Sequence, residues 1–472
     1  MSFFKQILPA LSNKPILTYC FVLAVTVQSV WAQNTEEHTL FKLSGKTQSQ
    51  MKEWFSECDV ADPELPNSVQ KIDALSKEQA IEAGDLVWKS YREGIIKAGE
   101  EKLLPAPEFF TEGDTGFVPM KRELNLGEKT MPFYFVGKGN VPEEKRPLFI
   151  SLHGGGQDKS HPGQAHASRF NNREWATQLI LFQKIFPDNA LYFIPRMADD
   201  HDGRWYFDYC QDAYNTVIRQ AILFHNVDPD RVFLIGISEG AYTAYRLGSF
   251  MADRLAGSNS MAGGEPLKNA PPANMRNIAF RADIGEFDTM FDRLNLNTRF
   301  ADSLEVLHQL DPEGYNYHLE IQKGRGHGIE YGSGPAWIYQ FSRNPYPQRV
   351  VWDVIKVHGR YKTQFYWVSL PSEPATFPLH INAKIDRENN HVYLKIEKEI
   401  DGKCVPTEDI PVKIYLNDQL ADLDKPVYVS VNDGKKLKYK VNRSLATMMH
   451  SLQERGDPRY MFPAEILISR TE

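Results

Sequence analysis

The sequence predicts a mixed α/β chain: a mostly parallel sheet with helices on both faces, followed by a smaller, β-rich carboxyl-terminal domain. Three observations carry this. From about residue 115 to 345, short apolar runs alternate with helix-length stretches, the pattern of parallel strands joined by crossover helices. After residue 345 a strict two-residue alternation takes over, as in Leu379, Ile381, Ala383 and Ile385. The 472 residues, 42% hydrophobic and 24% charged, suffice for a large core.

The elements follow in order. Residues 1–32 read as an export signal: Lys5 and Lys14 are positive, residues 15–27 are mostly apolar, and Val30 and Ala32 stand at the −3 and −1 positions of a cleavage site. The apolar run is too short for a comfortable membrane span. A secreted or periplasmic location is therefore expected, without stable membrane insertion once the signal is removed. Residues 33–114 are expected to form a polar linker and a helical lead-in, with residues 49–104 helical. Ser76 and Gln79 have capping-box spacing, and Ala80, Ala83, Val87, Tyr91 and Ile95 then recur at helical intervals.

The domain at 115–345 starts with a strand pair over 121–137, turning at Leu126-Gly127-Glu128. Strands are expected at 148–152, 190–194, 231–237, 277–284 and 317–321, with helices over 210–224 and from Glu239. The domain at 346–472 contains strands around Ile381, Leu394 and Val429, a turn at Asp433-Gly434, and a late helix over 444–455.

Composition excludes some function classes. A net charge of −7 argues against nucleic acid and anionic membrane as partners. Past the signal, Cys58, Cys210 and Cys404 remain, so at most one intramolecular pair can form. None has metal-ligand spacing, and no metal or other cofactor is expected.

The residues that bear chemistry cluster after strands. Gly236-Ile237-Ser238-Glu239-Gly240 follows the apolar strand Val232-Phe233-Leu234-Ile235 and precedes a helix. A serine hydroxyl is a poor nucleophile, and a tight strand–turn–helix exposes it to a base. His153-Gly154-Gly155-Gly156 ends an earlier strand. Bare glycine amides there suit an oxyanion, with one donor from Gly155 or Gly156 and the other from Glu239. His327, within Gly324-Arg325-Gly326-His327-Gly328, is the candidate base. Asp288 is the candidate acid that orients it, with Asp283, Glu286 and Asp292 as competitors, one of which is free to cap the next helix. Trp205, in the loop after the strand closed by Pro195, is a candidate substrate contact, with simple packing an equal reading.

Together these strings resemble the α/β-hydrolase superfamily, in its chain order of nucleophile, acid and histidine. More narrowly, the chain is similar to secreted bacterial esterase-like proteins related to polyhydroxyalkanoate depolymerases and dienelactone hydrolases. The similarity rests on Leu152-His153-Gly154-Gly155-Gly156, Asp228-Pro229-Asp230-Arg231-Val232, Met261-Ala262-Gly263-Gly264, Gly285-Glu286-Phe287-Asp288 and Gly326-His327-Gly328, over residues 120–345. One departure is Ala241, where many relatives carry a second glycine. The resemblance implies an α/β-hydrolase fold and cofactor-free cleavage of a carboxylic ester, with Ser238 attacking, His327 transferring the proton and Asp288 orienting His327. Export and the added β domain suggest a small-molecule or polysaccharide ester as partner, such as an esterified polysaccharide or an aryl ester. A serine peptidase of the prolyl-oligopeptidase kind and a non-catalytic binding protein on the same fold are the alternatives.

Overall fold

The computed structural model describes residues 41–57, 64–100, 103–155 and 164–469; the expected export signal, Cys58 and Gly156 lie outside them. Nine strands make the central sheet: β1 (Glu108–Phe110), β2 (Arg122–Leu126), β3 (Lys129–Lys138), β4 (Arg146–Leu152), β5 (Ala190–Pro195), β6 (Val227–Ile237), β7 (Gly257–Met261), β8 (Ala279–Gly285) and β9 (Tyr317–Gln322). Their order is β1-β3-β5-β4-β6-β7-β8-β9, with β2 on β3. β3 is antiparallel to β2 and to β5, and every pairing from β5 to β9 is parallel. This is the expected α/β-hydrolase arrangement.

Helices complete the layers: α1 (Gly45–Ser56), α2 (Asn67–Gln70), α3 (Lys77–Lys97), α4 (Gln164–Lys184), α5 (Asp208–Phe224), α6 (Glu239–Phe250), α7 (Arg293–Leu310), α8 (Ser333–Ile338) and α9 (Leu445–Arg455). Side chains on a strand alternate between faces, and the two apolar clusters divide accordingly. Leu148, Ile150, Val232 and Leu234 pack with Tyr214 and Val217 of α5 and Phe300 of α7. Their neighbours Phe149, Phe233 and Ile235 pack on the other face with Trp175 and Phe182 of α4 and Ile338 of α8.

Two elements differ from the sequence expectation. The lead-in is three helices rather than a near-continuous one, and β1 joins the sheet from within it. The capping box on α3 is present, with Ser76 and Gln79 satisfying each other's backbone amides. β7 was not expected, because Gly257-Ser258-Asn259-Ser260 is polar. It is buried all the same: Ser258 Oγ donates to the Ala244 carbonyl at 2.7 Å, and Asn259 donates to Asp283 at 2.8 Å. Satisfied polar groups can occupy a core position that apolar periodicity does not reveal.

The β-rich region supplies β10 (Arg349–Val354), β11 (Gln364–Phe365), β12 (Val368–Ser369), β13 (Leu379–Asp386), β14 (His391–Ile400), β15 (Lys403–Pro406), β16 (Val412–Leu416), β17 (Val427–Val431), β18 (Leu437–Tyr439) and β19 (Ala464–Ile468). They form two sheets, β10-β13-β14-β17-β18 with β15 on β14, and β11-β12-β16-β19. Trp352, Phe365, Ile381 and Val429 belong to the same buried cluster as Leu148 and Val232. Arg343 pins the junction. Its buried guanidinium bonds Asp230 at 2.9 Å, Asp457 at 2.9 Å and the Asp253 carbonyl at 2.9 Å. Cys210 is a buried free thiol and Cys404 an exposed one. Among the described residues, no helix is long and apolar enough to cross a membrane.

Candidate active site

The sheet changes its direction of growth at β4, with β5 on one side and β6 on the other. Such a switch point leaves a crevice beyond the carboxyl ends of the strands. Leu152 of β4 pairs with Gly236 of β6, a register that carries Gly154 alongside Ser238. A Cβ on Gly154 would stand 3.3 Å from the Ser238 Cβ.

Ser238 lies between β6 and α6 with φ 51° and ψ −104°, left-handed backbone that non-glycine residues rarely adopt. The turn is held by the Ser238 amide donating to the Met261 carbonyl at 2.8 Å. Its tightness explains the glycines. A Cβ at Gly236 would fall 2.1 Å from the Gly240 carbonyl oxygen, and one at Gly240 2.4 Å from that of Leu152. Ala241 fits because Gly263 faces it; a Cβ on Gly263 would meet the Ala241 Cβ at 2.5 Å.

Ser238, His327 and Asp288 form one hydrogen-bonded chain. His327 Nε2 lies 3.0 Å from Ser238 Oγ, and His327 Nδ1 lies 2.7 Å from Asp288 Oδ2. With Nδ1–H turned to the carboxylate, Nε2 is left to accept from the serine hydroxyl. Asp288 is 2% exposed, whereas the imidazole is half exposed and open to the crevice. The competitors are otherwise engaged. Asp283 is buried against Arg281 and Asn259, Glu286 accepts from the Gly324 amide at 2.8 Å, and Asp292 begins α7 and pairs with Arg299 at 2.6 Å.

Sequence reasoning missed Arg293 and Tyr242. Arg293 Nη1 donates to Asp288 Oδ1 at 2.9 Å and lies 3.3 Å from His327 Nδ1, while its Nε donates to the Tyr242 hydroxyl at 2.8 Å. One local signal existed. Arg293 opens α7, and a cation at a helix amino-terminus opposes the helix dipole unless a carboxylate answers it.

The His153 loop is built around a neutral imidazole. His153 is fully buried, and burial pushes its pKa down to about 4. Nε2 accepts the Met197 amide at 3.0 Å, which leaves Nδ1–H to donate to the Gly154 carbonyl. In a trans peptide the C=O and the next N–H point in opposite directions. Holding the Gly154 carbonyl therefore turns the Gly155 amide away from the ring. Gly155 has φ 92°, and a Cβ there would meet Asn171 Oδ1 at 2.6 Å. Glu239, whose amide is the other candidate donor, buries its side chain against Arg204. Burial outweighs the arginine and raises that carboxyl to about 7.

Trp205 requires a correction as a substrate contact. It is fully buried, donates from Nε1 to the His153 carbonyl at 2.9 Å and meets the His153 ring edge-on at 4.8 Å. The long loop after β5 brings the buried indole against the His153 carbonyl, so Trp205 packs on the His153 loop and is not exposed to a ligand.

No family model and no curated protein matches the chain. Solved structures similar to it include a thermostable esterase (14% identity, TM-score 0.33), a carboxylesterase from Mesorhizobium loti (17%, 0.32) and an acetyl xylan esterase from Aspergillus awamori (12%, 0.34). The likeness covers 48%, 47% and 47% of this chain, and 63%, 97% and 99% of those proteins.

Proposed function

We propose that the chain is a serine hydrolase that cleaves carboxylic esters through an acyl-enzyme. The observation that carries this reading is the continuous Ser238–His327–Asp288 chain, at 3.0 and 2.7 Å, set on strained backbone at the mouth of the sheet. Ser238 Oγ attacks the ester carbonyl as its proton passes to His327 Nε2, and Asp288 stabilises the imidazolium. The carbonyl oxygen takes up negative charge opposite the amides of Gly155 and Glu239, the latter at the amino-terminus of α6. His327 then gives its proton to the leaving alcohol. Water, deprotonated by the same imidazole, hydrolyses the acyl-serine.

The rim favours an aryl or otherwise apolar group in the substrate. Phe287, Met290 and Phe291 flank Asp288 and are 66%, 64% and 71% exposed. With the export expected from the sequence, this supports an external aryl ester or esterified polysaccharide. The test is a panel of p-nitrophenyl esters with the mature protein and Ser238→Ala. Hydrolysis by the wild type, lost by roughly a thousandfold or more in the variant, is expected. A folded protein that spares every ester but cleaves chromogenic peptides would overturn the reading.

A further inference from the structure

Helix α4 presents two side chains at the oxyanion loop that the ester-hydrolase chemistry leaves unused. Phe170 and Glu174 stand four residues apart, so they share one face of the helix. Phe170 is 39% exposed, and a Cβ on Gly155 would meet its ring at 3.0 Å. The point 3.3 Å from the Ser238 Cβ, where a Gly154 Cβ would stand, is also 3.3 Å from Glu174 Oε2. The carboxylate thus faces the nucleophile across the space that the glycine leaves open.

One of its two oxygens is engaged. Oε1 accepts from Arg173 Nε at 3.2 Å and from Nη2 at 2.9 Å. Oε2 meets no donor among the described residues. It is not sealed: the Glu174 side chain is 23% exposed, whereas unpartnered atoms such as Gln220 Oε1 and Thr243 Oγ1 are fully buried. A free carboxylate oxygen here opposes the negative charge that an oxyanion acquires, unless a donor on the substrate meets it. Arg173 sets the kind of donor. Its guanidinium answers the Glu174 charge and lies 4.4 Å from the centre of the Phe170 ring. A neutral hydroxyl suits so compensated a carboxylate better than an ammonium group does. Tyr331 sets the side. Its hydroxyl lies 3.5 Å from the His327 carbonyl oxygen; burial raises its pKa, and the nearby Glu174 and Asp288 carboxylates add to the rise. Glu174 therefore lies toward the His327 side of Ser238, where the alcohol departs.

We propose that Glu174 determines specificity for the alcohol of the ester: its Oε2 accepts a hydrogen bond from a hydroxyl on the carbon next to the esterified one, while Phe170 covers the carbon face of that alcohol. The preferred substrate is then a partly esterified sugar or polyol. This rests on the ester-hydrolase reading and selects among its substrates. The test takes the acid that the p-nitrophenyl panel ranks first and compares kcat/KM on its hydroxyethyl and methoxyethyl esters, which differ in one donor. The wild type is expected to prefer the hydroxyethyl ester by roughly tenfold or more, the difference that a hydrogen bond to a charged acceptor makes. Glu174→Met should bring the ratio to about one, and Glu174→Gln, which keeps an uncharged acceptor, should fall between. A merely structural role would lower both rates together and leave the ratio as it was. If Glu174→Met does not fold, the Glu174→Gln ratio decides. With p-nitrophenyl esters still cleaved, no preference in the wild type, an undiminished preference in the folded variants, or faster cleavage of the trimethylammonioethyl ester than of the hydroxyethyl one would overturn this assignment alone. A folded wild type that cleaves no p-nitrophenyl ester would overturn the ester-hydrolase reading, and this assignment with it.

Discussion

Asp288 uses both of its oxygens, one for His327 Nδ1 and one for Arg293 Nη1. Asp288→Asn should lower kcat by about 10⁴-fold through loss of the imidazole tautomer. It should also lower stability by about 3 kcal/mol, because Arg293 is left buried and unpaired. Adding Arg293→Met should restore much of the stability and none of the activity; steady-state rates with urea unfolding of both variants would check this. His153 gives a pH dependence. Its folded pKa, about 4, lies below the ordinary 6.5, so between these values the unfolded chain binds the extra proton. Stability should therefore fall as pH drops through this window, by about 3 kcal/mol in all. Urea midpoints from pH 4 to 7 should show a shallower slope for His153→Asn; equal slopes would count against it. At this scale Ser238, His327 and Asp288 could be read from sequence because each stands beside glycine or at a strand end. Trp205 could not, since a tryptophan on a loop looks the same whether it props the loop or faces a ligand.

At the scale of elements, the geometry of Ser238, His327 and Asp288 depends on how closely the turns approach one another. A Cβ on Gly285, where β8 ends, would lie 2.0 Å from the Gly326 carbonyl oxygen in the loop that presents His327. Gly285→Ala should push that loop outward, and a displacement of about 1 Å can cost 10²-fold in rate. The check is kcat/KM on the best p-nitrophenyl ester, with wild-type behaviour the refuting result. Strands with apolar alternation, and α3 with its capping box, were predictable because their local chemistry repeats. β7 was not, because its strand is polar and buried, with Ser258 and the Asn259 amide nitrogen meeting partners on α6 and β8 that adjoin it only in the folded chain.

Across the whole molecule, the parallel sheet and the β-rich region share one apolar cluster and one buried ionic junction. Arg343 lies in the segment between them and contacts Asp230 at one end of β6 and Asp457 just after α9. Arg343→Met would leave the buried Asp457 without its ion-pair partner, while Asp230 keeps Arg459 at 2.8 Å, and should cost about 3–5 kcal/mol. Chemical denaturation followed by both tryptophan fluorescence and far-ultraviolet circular dichroism should show coincident single transitions shifted to lower denaturant. A chain ended after residue 345 should be insoluble, since Leu148 and Val232 would lose Trp352, Phe365 and Ile381 from their shared core. Spacing and periodicity gave both regions their strand content, but the contact between them is made by residues more than a hundred positions apart, such as Arg343 and Asp230.

The crowding around Ser238 also sets where this protein can vary. A Cβ at Gly236, Gly240, Gly263 or Gly285 would lie 2.5 Å or less from a neighbouring atom, so saturation libraries there should return almost only the parent residue. Phe287 and Met290 project into solvent a few residues from Asp288, whereas the Phe291 ring lies 5.0 Å from the Arg293 guanidinium and its backbone is left-handed, with φ 57°. A drifting lineage would therefore change Phe287 and Met290 freely while the crowded glycines beneath stayed fixed, and diversification is best confined to those two positions.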